Sequence, residues 1–120
     1  MKKTTLYWLP NCSTCQKAAK YLEQNGVKIE NFHNIKTDQL LRKEIEKLAE
    51  LVGGVSELFS KRAIKYREMK LNERELSESE MLKLMMDEYT FIKRPVLVLN
   101  DKAIAGFSEK NYEKFLKTNE

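Results

Sequence analysis

The segment from Thr4 to Tyr21, TTLYWLPNCSTCQKAAKY, predicts a strand, a turn and a helix in quick succession. Residues 4–9 are mostly apolar, as in a buried strand, and the Pro-Asn pair after them favours a turn. The two cysteines of the chain, Cys12 and Cys15, follow at the start of the predicted helix. The first turn of a helix has unpaired backbone N–H groups and the positive end of the helix dipole. A thiolate is stabilised there, so its pKa falls.

The spacing of the two cysteines predicts a redox function. A second cysteine one helical turn on can attack the mixed disulfide that the first one forms. We therefore take Cys12 as the catalytic nucleophile and Cys15 as the resolving thiol. The alternative is a pair of small buried apolar residues, which the coincidence of spacing and helix start disfavours. Because the chain has one histidine and no second CxxC pair, we expect no metal and no other cofactor.

Composition narrows the class of protein. A chain of 120 residues predicts a single domain over residues 1–120. Its net charge of +4 permits an anionic partner, but acidic residues are mixed among the basic ones, so direct nucleic-acid binding is not required. We find no signal peptide and no apolar run of membrane-spanning length, and therefore expect a cytoplasmic protein. Thiols stay reduced in that compartment, which favours reactive cysteines over structural ones.

The rest of the chain predicts helices and then a hairpin. Apolar periodicity and capping residues predict a helix over about 14–25 ended by Gly26 and then a strand over 27–34. They next predict a helix from Thr37 or Asp38 to about 52, a short helix over about 55–59, a less periodic basic segment over 60–67, and a helix opened by a Ser77–Glu80 capping box and reaching about 89. Strands over 96–99 and 103–105 and a last helix capped by Ser108 complete the chain. This order predicts an α/β fold with a thioredoxin-type core and a helical insertion over about 38–90.

Several motifs together resemble one family. Cys-Ser-Thr-Cys-Gln-Lys-Ala after the first strand, Lys-Arg-Pro-Val-Leu-Val at the third, and Ala-Gly-Phe before the last helix resemble the glutaredoxin-like arsenate reductase (ArsC) family, which includes the Spx-type regulators. The resemblance implies the thioredoxin-like fold with a helical insertion between the second strand and the hairpin. It also implies a cis Arg94–Pro95 peptide that faces the two cysteines.

The departures from the family pattern bear on function. Arsenate reductases of this type have a histidine at the position of Trp8 and a serine at that of Cys15. They hold the oxyanion with three arginines; Arg94 matches one, Arg62 lies close to the second, and the third falls at about Gly106. The CxxC pair makes the chain more similar to the Spx-type members.

The resemblance implies two functions between which the sequence does not choose. The first is a thiol–disulfide redox enzyme that reduces arsenate or another oxidised substrate and is itself reduced by thioredoxin, glutaredoxin or glutathione. The second is a redox-sensing transcriptional regulator that binds the C-terminal domain of the RNA polymerase α subunit. The substrate- or anion-binding candidates are Arg94, Arg62, Pro95, Ser13 and Thr14. For the two arginines an ordinary solvated surface charge remains the alternative.

Overall fold

The computed structural model describes residues 4–119, and in this part of the chain four strands form one sheet. The strands are β1 (Thr4–Trp8), β2 (Asn31–Asn34), β3 (Val96–Leu99) and β4 (Lys102–Ala105). Their order in the sheet is β2-β1-β3-β4. β1 pairs parallel with β2 and antiparallel with β3, and β3 and β4 form an antiparallel hairpin. The strands follow one another along the chain in the order that the sequence predicts, with the hairpin last.

The helices of the described residues divide between two compact units. The helices are α1 (Ser13–Gln24), α2 (Arg42–Val52), α3 (Val55–Leu58), α4 (Ile64–Glu68), α5 (Glu78–Asp87) and α6 (Glu109–Thr118), with 3₁₀ turns at Leu71–Glu73 and Tyr89–Phe91. The sheet unit comprises residues 4–38 and 94–119 and contains the sheet, α1 and α6; the helical unit is Gln39–Lys93. The single domain over residues 1–120 stays a prediction.

The sheet unit has a core built from β1, β3, α1 and α6. Its fully buried members are Leu6, Ala18, Leu22, Leu97 and Tyr112. Leu6 and Leu97 are partners across the β1–β3 pairing, so they lie on the same face of the sheet. Burying each of the three leucine side chains stabilises the unit by roughly 1.5–3 kcal/mol. This core fixes α1, and with it the two cysteines, against the centre of the sheet.

Helix α1 begins and ends within one residue of the predicted bounds. Cys12 is its N-cap residue, and the C-terminal turn closes through the amide of Val27, which donates to the carbonyl of Leu22 at 2.9 Å. Gly26 has a φ of 74°, a left-handed conformation that glycine adopts without steric cost. The first turn contains no acidic residue, so no carboxylate competes with a thiolate for the positive end of the helix.

The helical unit has a separate set of buried residues. α2 packs against α3 and α5, and the buried side chains include Ile45, Leu48, Leu58 and Met85. The predicted Ser77 capping box is confirmed: Ser77 Oγ accepts from the Glu80 amide at 3.2 Å, and Glu80 Oε1 accepts from the Ser77 amide at 3.1 Å. Helix α4 lies largely within the basic segment over 60–67, for which the sequence predicts no helix.

Some predicted boundaries are wrong. The second strand covers only Asn31–Asn34, not residues 27–34. Helix α2 starts at Arg42 with Leu41 as its N-cap, not at Thr37 or Asp38, because Asn34 Oδ1 accepts from the amides of residues 36 and 37 and forms a separate turn there.

No helix of residues 4–119 combines the length and the apolar character that a membrane span requires.

Candidate functional site

The CxxC turn lies at the C-terminal end of β1, which is placed between β2 and β3 in the sheet. After the strand, the amide of Cys12 donates to the Leu9 carbonyl at 3.1 Å, which closes a turn and places Cys12 at the N-cap of α1. The carbonyl of Cys12 accepts from the Gln16 amide at 2.9 Å, as the first hydrogen bond of the helix. Both cysteines are free thiols. The turn therefore presents the Cys12 side chain at the positive end of the helix.

The environment of Cys12 favours its thiolate. Its sulfur accepts a hydrogen bond from the backbone N–H of Cys15 at 3.4 Å, the position where serine or aspartate usually caps a helix. Partial burial by itself opposes ionisation, but hydrogen bonds from the thiol and the amide of Cys15, together with the nearby guanidinium of Arg94, outweigh it. The net effect is that the pKa of Cys12 lies below its ordinary value.

The environment of Cys15 has the opposite effect. Cys15 is 0% exposed and lies on the inward face of α1 with Ala18 and Leu22. Burial first, and then the hydrogen bond and the negative charge of Cys12, raise the pKa of Cys15 to about 12. At neutral pH Cys12 is therefore the better nucleophile and Cys15 a protonated thiol that donates to it.

Arg94 is the cation of this site. It belongs to the sheet unit and lies two residues before the start of β3, and the Arg94–Pro95 peptide is cis, as the resemblance implies. Its Nε and Nη1 atoms are buried and have no hydrogen-bond partner among residues 4–119. Pro95 itself is fully buried. Of the predicted anion-binding residues, Arg94 is thus the one that combines a charge effect on Cys12 with unused donors.

The other predicted anion-binding residues are placed differently. Ser13 and Thr14 are exposed in the first turn of α1, directly after Cys12. Arg62 belongs to the helical unit, where its amide donates to Ser60 Oγ at 3.3 Å and its exposed side chain lines a cavity of about 590 Å³. The cavity is lined by Lys61, Arg62, Ala63, Ile64, Arg67 and Glu68.

Sequence reasoning missed a groove beside the CxxC turn. Trp8, the last residue of β1, packs on Phe32 of β2 with ring centroids 4.7 Å apart. Both rings line a cavity of about 520 Å³, together with Gln16, Ala19, Lys20, Glu23, Val27, Lys28 and Ile29. Phe32 is 47% exposed, which is unusual for a large aromatic side chain. The strand alternation could have placed Trp8 and Phe32 on one face, had the strand pairing been known.

The side chain of His33 in β2 is turned away from solvent. Its side chain is only 12% exposed because its ring packs on Tyr7 at 4.8 Å. Its Nε2 atom lies 2.8 Å from the carbonyl oxygen of Asp38. Across residues 4–119, no three His, Cys, Asp or Glu side chains are grouped so that they could hold a metal ion.

Comparisons of the sequence and of the structure with known proteins agree on one family. The ArsC family model matches residues 7–115. The protein YusI of Bacillus subtilis is 36% identical over 113 residues, which cover 92% of this chain and 95% of YusI. The global transcriptional regulator Spx of Streptococcus pneumoniae is 30% identical over 113 residues, 93% of this chain and 84% of Spx. The crystal structure of an ArsC family related protein from Bacteroides fragilis has a TM-score of 0.82 and 31% identity, covering 93% of this chain and 96% of that one.

Proposed function

The chain belongs to the ArsC family and has its thioredoxin-like fold with a helical insertion, and we propose that it is a cytoplasmic thiol–disulfide redox protein. In this proposal Cys12 is the nucleophile and Cys15 the resolving thiol. The observation that carries it is the different placement of the two sulfurs: Cys12 Sγ accepts from the Cys15 amide at 3.4 Å at the helix start, whereas Cys15 is 0% exposed. The pKa is accordingly lowered at Cys12 and raised to about 12 at Cys15. Divergent pKa values assign two different tasks to two groups of the same kind.

The proposed reaction transfers two electrons to a disulfide substrate. The Cys12 thiolate attacks one substrate sulfur and forms a mixed disulfide, and the other substrate sulfur leaves as a thiolate. Cys15 then loses its proton and attacks the Cys12 sulfur, which releases the second substrate thiol and leaves a Cys12–Cys15 disulfide. A thiol donor of the thioredoxin, glutaredoxin or glutathione type reopens that bond and restores both thiols.

Arg94 supports an anionic group on the substrate. Buried Nε and Nη1 donors without partners are costly, and an anionic group such as a carboxylate or arsenate would supply acceptor oxygens to this guanidinium. The exposed Ser13 and Thr14 at the helix start offer further donors to the same anion. We therefore propose that the substrate, or the thiol that reduces the protein, places a negative charge beside Cys12.

Alkylation kinetics with matched single-cysteine variants test this assignment. Iodoacetamide should modify Cys12 of the Cys15→Ser variant faster at neutral pH than a cysteine of ordinary pKa in a peptide, because the thiolate reacts. The Cys12→Ser variant, which keeps only the buried Cys15, should be modified far more slowly. Equal rates for the two variants, or no Cys12–Cys15 disulfide after peroxide treatment, would contradict the proposal. Arsenate-dependent consumption of reductant, lost in Cys12→Ser, would make arsenate the substrate.

The second candidate is a redox-sensing regulator. It is favoured by the similarity to a global transcriptional regulator over 93% of this chain. In that case oxidation of Cys12 and Cys15 would change the affinity for the C-terminal domain of the RNA polymerase α subunit. A pull-down with that domain, using dithiothreitol-reduced and diamide-oxidised protein, tests it. Equal recovery in both states, or none in either, counts against the regulator.

A further inference from the structure

The hydroxyl group of Tyr112 is buried without a hydrogen-bond partner. Tyr112 lies on α6, is 0% exposed, and its hydroxyl oxygen forms no hydrogen bond within residues 4–119. Buried tyrosine hydroxyl groups are nearly always paired, so an unpaired one in a native core calls for an explanation. A phenylalanine would fill the same space without this penalty, since only the hydroxyl group lacks a partner.

The position of Tyr112 supplies a candidate partner. Its ring packs in the core of the sheet unit with Ala18 and Leu22, and its centroid lies 6.2 Å from that of Tyr21. All three of these residues belong to α1, and Cys15 is buried on the same inward face of that helix. Burial first, and then negative charge on Cys15, raise the pKa of Tyr112 above its usual range. The phenol thus lies within electrostatic reach of the Cys15 sulfur and keeps its proton.

The proposed redox cycle creates a need for a donor at that sulfur. When a reducing thiolate attacks Cys12 Sγ, a mixed disulfide forms and the Cys12–Cys15 bond breaks. The electron pair of that bond leaves on Cys15 Sγ, which becomes a thiolate inside the core before solvent supplies its proton. A buried thiolate without a donor is a poor leaving group, and burial is the largest cause that raises the pKa of Cys15.

We propose that the Tyr112 hydroxyl group donates a hydrogen bond to Cys15 Sγ while that sulfur carries negative charge. The hydrogen bond stabilises the leaving thiolate when the disulfide opens. By microscopic reversibility it also stabilises the attacking Cys15 thiolate when the disulfide closes. In the structure both cysteines are thiols and the hydroxyl is unpaired among residues 4–119, so the proposed hydrogen bond is one that forms once Cys15 Sγ is charged. This inference rests on the Cys12–Cys15 disulfide of the proposed function.

The test is the rate at which dithiothreitol opens a preformed disulfide. Wild type, Tyr112→Phe and Tyr21→Phe are oxidised with diamide and mixed with dithiothreitol. Samples are quenched with acid at successive times, and their free thiols are quantified. Tyr112→Phe should open about tenfold to a hundredfold more slowly, the usual effect of losing a hydrogen bond to a charged group. The matched control Tyr21→Phe removes a hydroxyl group from the same aromatic cluster and should stay within about twofold of wild type.

The outcomes separate this inference from the proposed function. If Tyr112→Phe opens at the wild-type rate, the inference is overturned, whereas the redox function stands. If diamide closes no Cys12–Cys15 disulfide in wild type, both fall together. Should Tyr112→Phe fail to fold, 3-fluorotyrosine at position 112 decides, because fluorination strengthens the donor while the ring stays in place. Opening faster than wild type supports the hydrogen bond, and an unchanged or slower rate refutes it.

Discussion

Replacing Arg94 with methionine should stabilise the protein at acid pH while it lowers the reactivity of Cys12. The wild-type guanidinium has buried Nε and Nη1 atoms without partners in residues 4–119, and Arg94 as a whole is half-buried. Methionine keeps the length of the apolar stem and removes the donors. The substitution therefore separates the cost of an unused cation from its benefit to the neighbouring thiolate.

The size of the effect follows from the two donors. An unsatisfied buried donor costs about 1–3 kcal/mol, and the partial exposure of the side chain places the pair towards the lower end. We expect Arg94→Met to gain about 1–2 kcal/mol in free energy of unfolding when Cys12 is a neutral thiol. For a chain of this size, each kcal/mol corresponds to roughly 4 °C in Tm.

The gain should shrink as the pH rises. Below the folded-state pKa of Cys12, the thiol is protonated in both the folded and the unfolded state, and Arg94 has no thiolate to stabilise. The pKa of Cys12 is lowered in the folded state, so above it the unfolded chain binds more protons and stability rises with pH. This contribution is complete above the unfolded value of about 8.5 and is smaller in Arg94→Met. In the folded state Cys15 stays protonated over this range because its pKa is about 12, and its ionisation in the unfolded chain lowers the stability of both proteins as the pH rises.

Urea unfolding at two pH values measures both parts. The first pH is low enough that alkylation shows Cys12 to be fully protonated, and the second is pH 9. Arg62→Met is the control; its exposed side chain should change stability by less than about 0.5 kcal/mol at either pH. If Arg94→Met is less stable than wild type at acid pH, the guanidinium already makes a stabilising contact. A difference that grows in favour of the variant as the pH rises would refute the proposed coupling to Cys12.

Three further predictions concern the scaffold. Leu22→Ala should cost about 2–5 kcal/mol in urea unfolding, since Leu22 is 0% exposed in the core that holds α1; a loss under about 1 kcal/mol would mean that this core is loosely packed. Ser77→Ala should cost about 1 kcal/mol, and Ser77→Asp should recover most of it, because the side-chain oxygen accepts from the Glu80 amide. Gly53→Ala should lose roughly 1–3 kcal/mol because its φ of 107° strains any residue with a Cβ, although the added atom would meet nothing closer than Glu57 Cγ at 3.8 Å; an unchanged thermal midpoint would contradict this.

The sequence predicts α1 well because its signals are local. The cysteine at the cap, the apolar positions at helical spacing and the glycine after the last turn all lie within fifteen residues. The prediction of the start of α2 fails because two segments compete to cap this helix. Thr37 and Asp38 are good capping residues, but Asn34 ties up the preceding amides in a turn. The helix then starts at Leu41, whose amide donates to Glu44 Oε1 at 2.9 Å.

The chemistry of the site is only partly visible in the sequence. The CxxC turn predicts a lowered pKa for Cys12 from helix geometry alone, and the resemblance supplies Arg94. Tyr112 and the groove beside Trp8 require tertiary structure, because α6 and β2 meet α1 and β1 through long-range packing. Periodicity identifies Tyr112 as an apolar position of the last helix. It gives no sign that the hydroxyl is unpaired or that Cys15 is within electrostatic reach.

The three-residue spacing itself explains why two cysteines of one turn differ so strongly. Both are near the same helix start, so the dipole alone does not separate their pKa values. Cys12 precedes the first helical residue and accepts a hydrogen bond there, whereas Cys15 falls three and seven residues before Ala18 and Leu22, on the inward face. Burial and the neighbouring Cys12 raise the pKa of Cys15, while hydrogen bonds and Arg94 outweigh burial at Cys12. The apolar periodicity of a helix that begins with CxxC therefore indicates which cysteine is buried and which one stays partly exposed at the helix start.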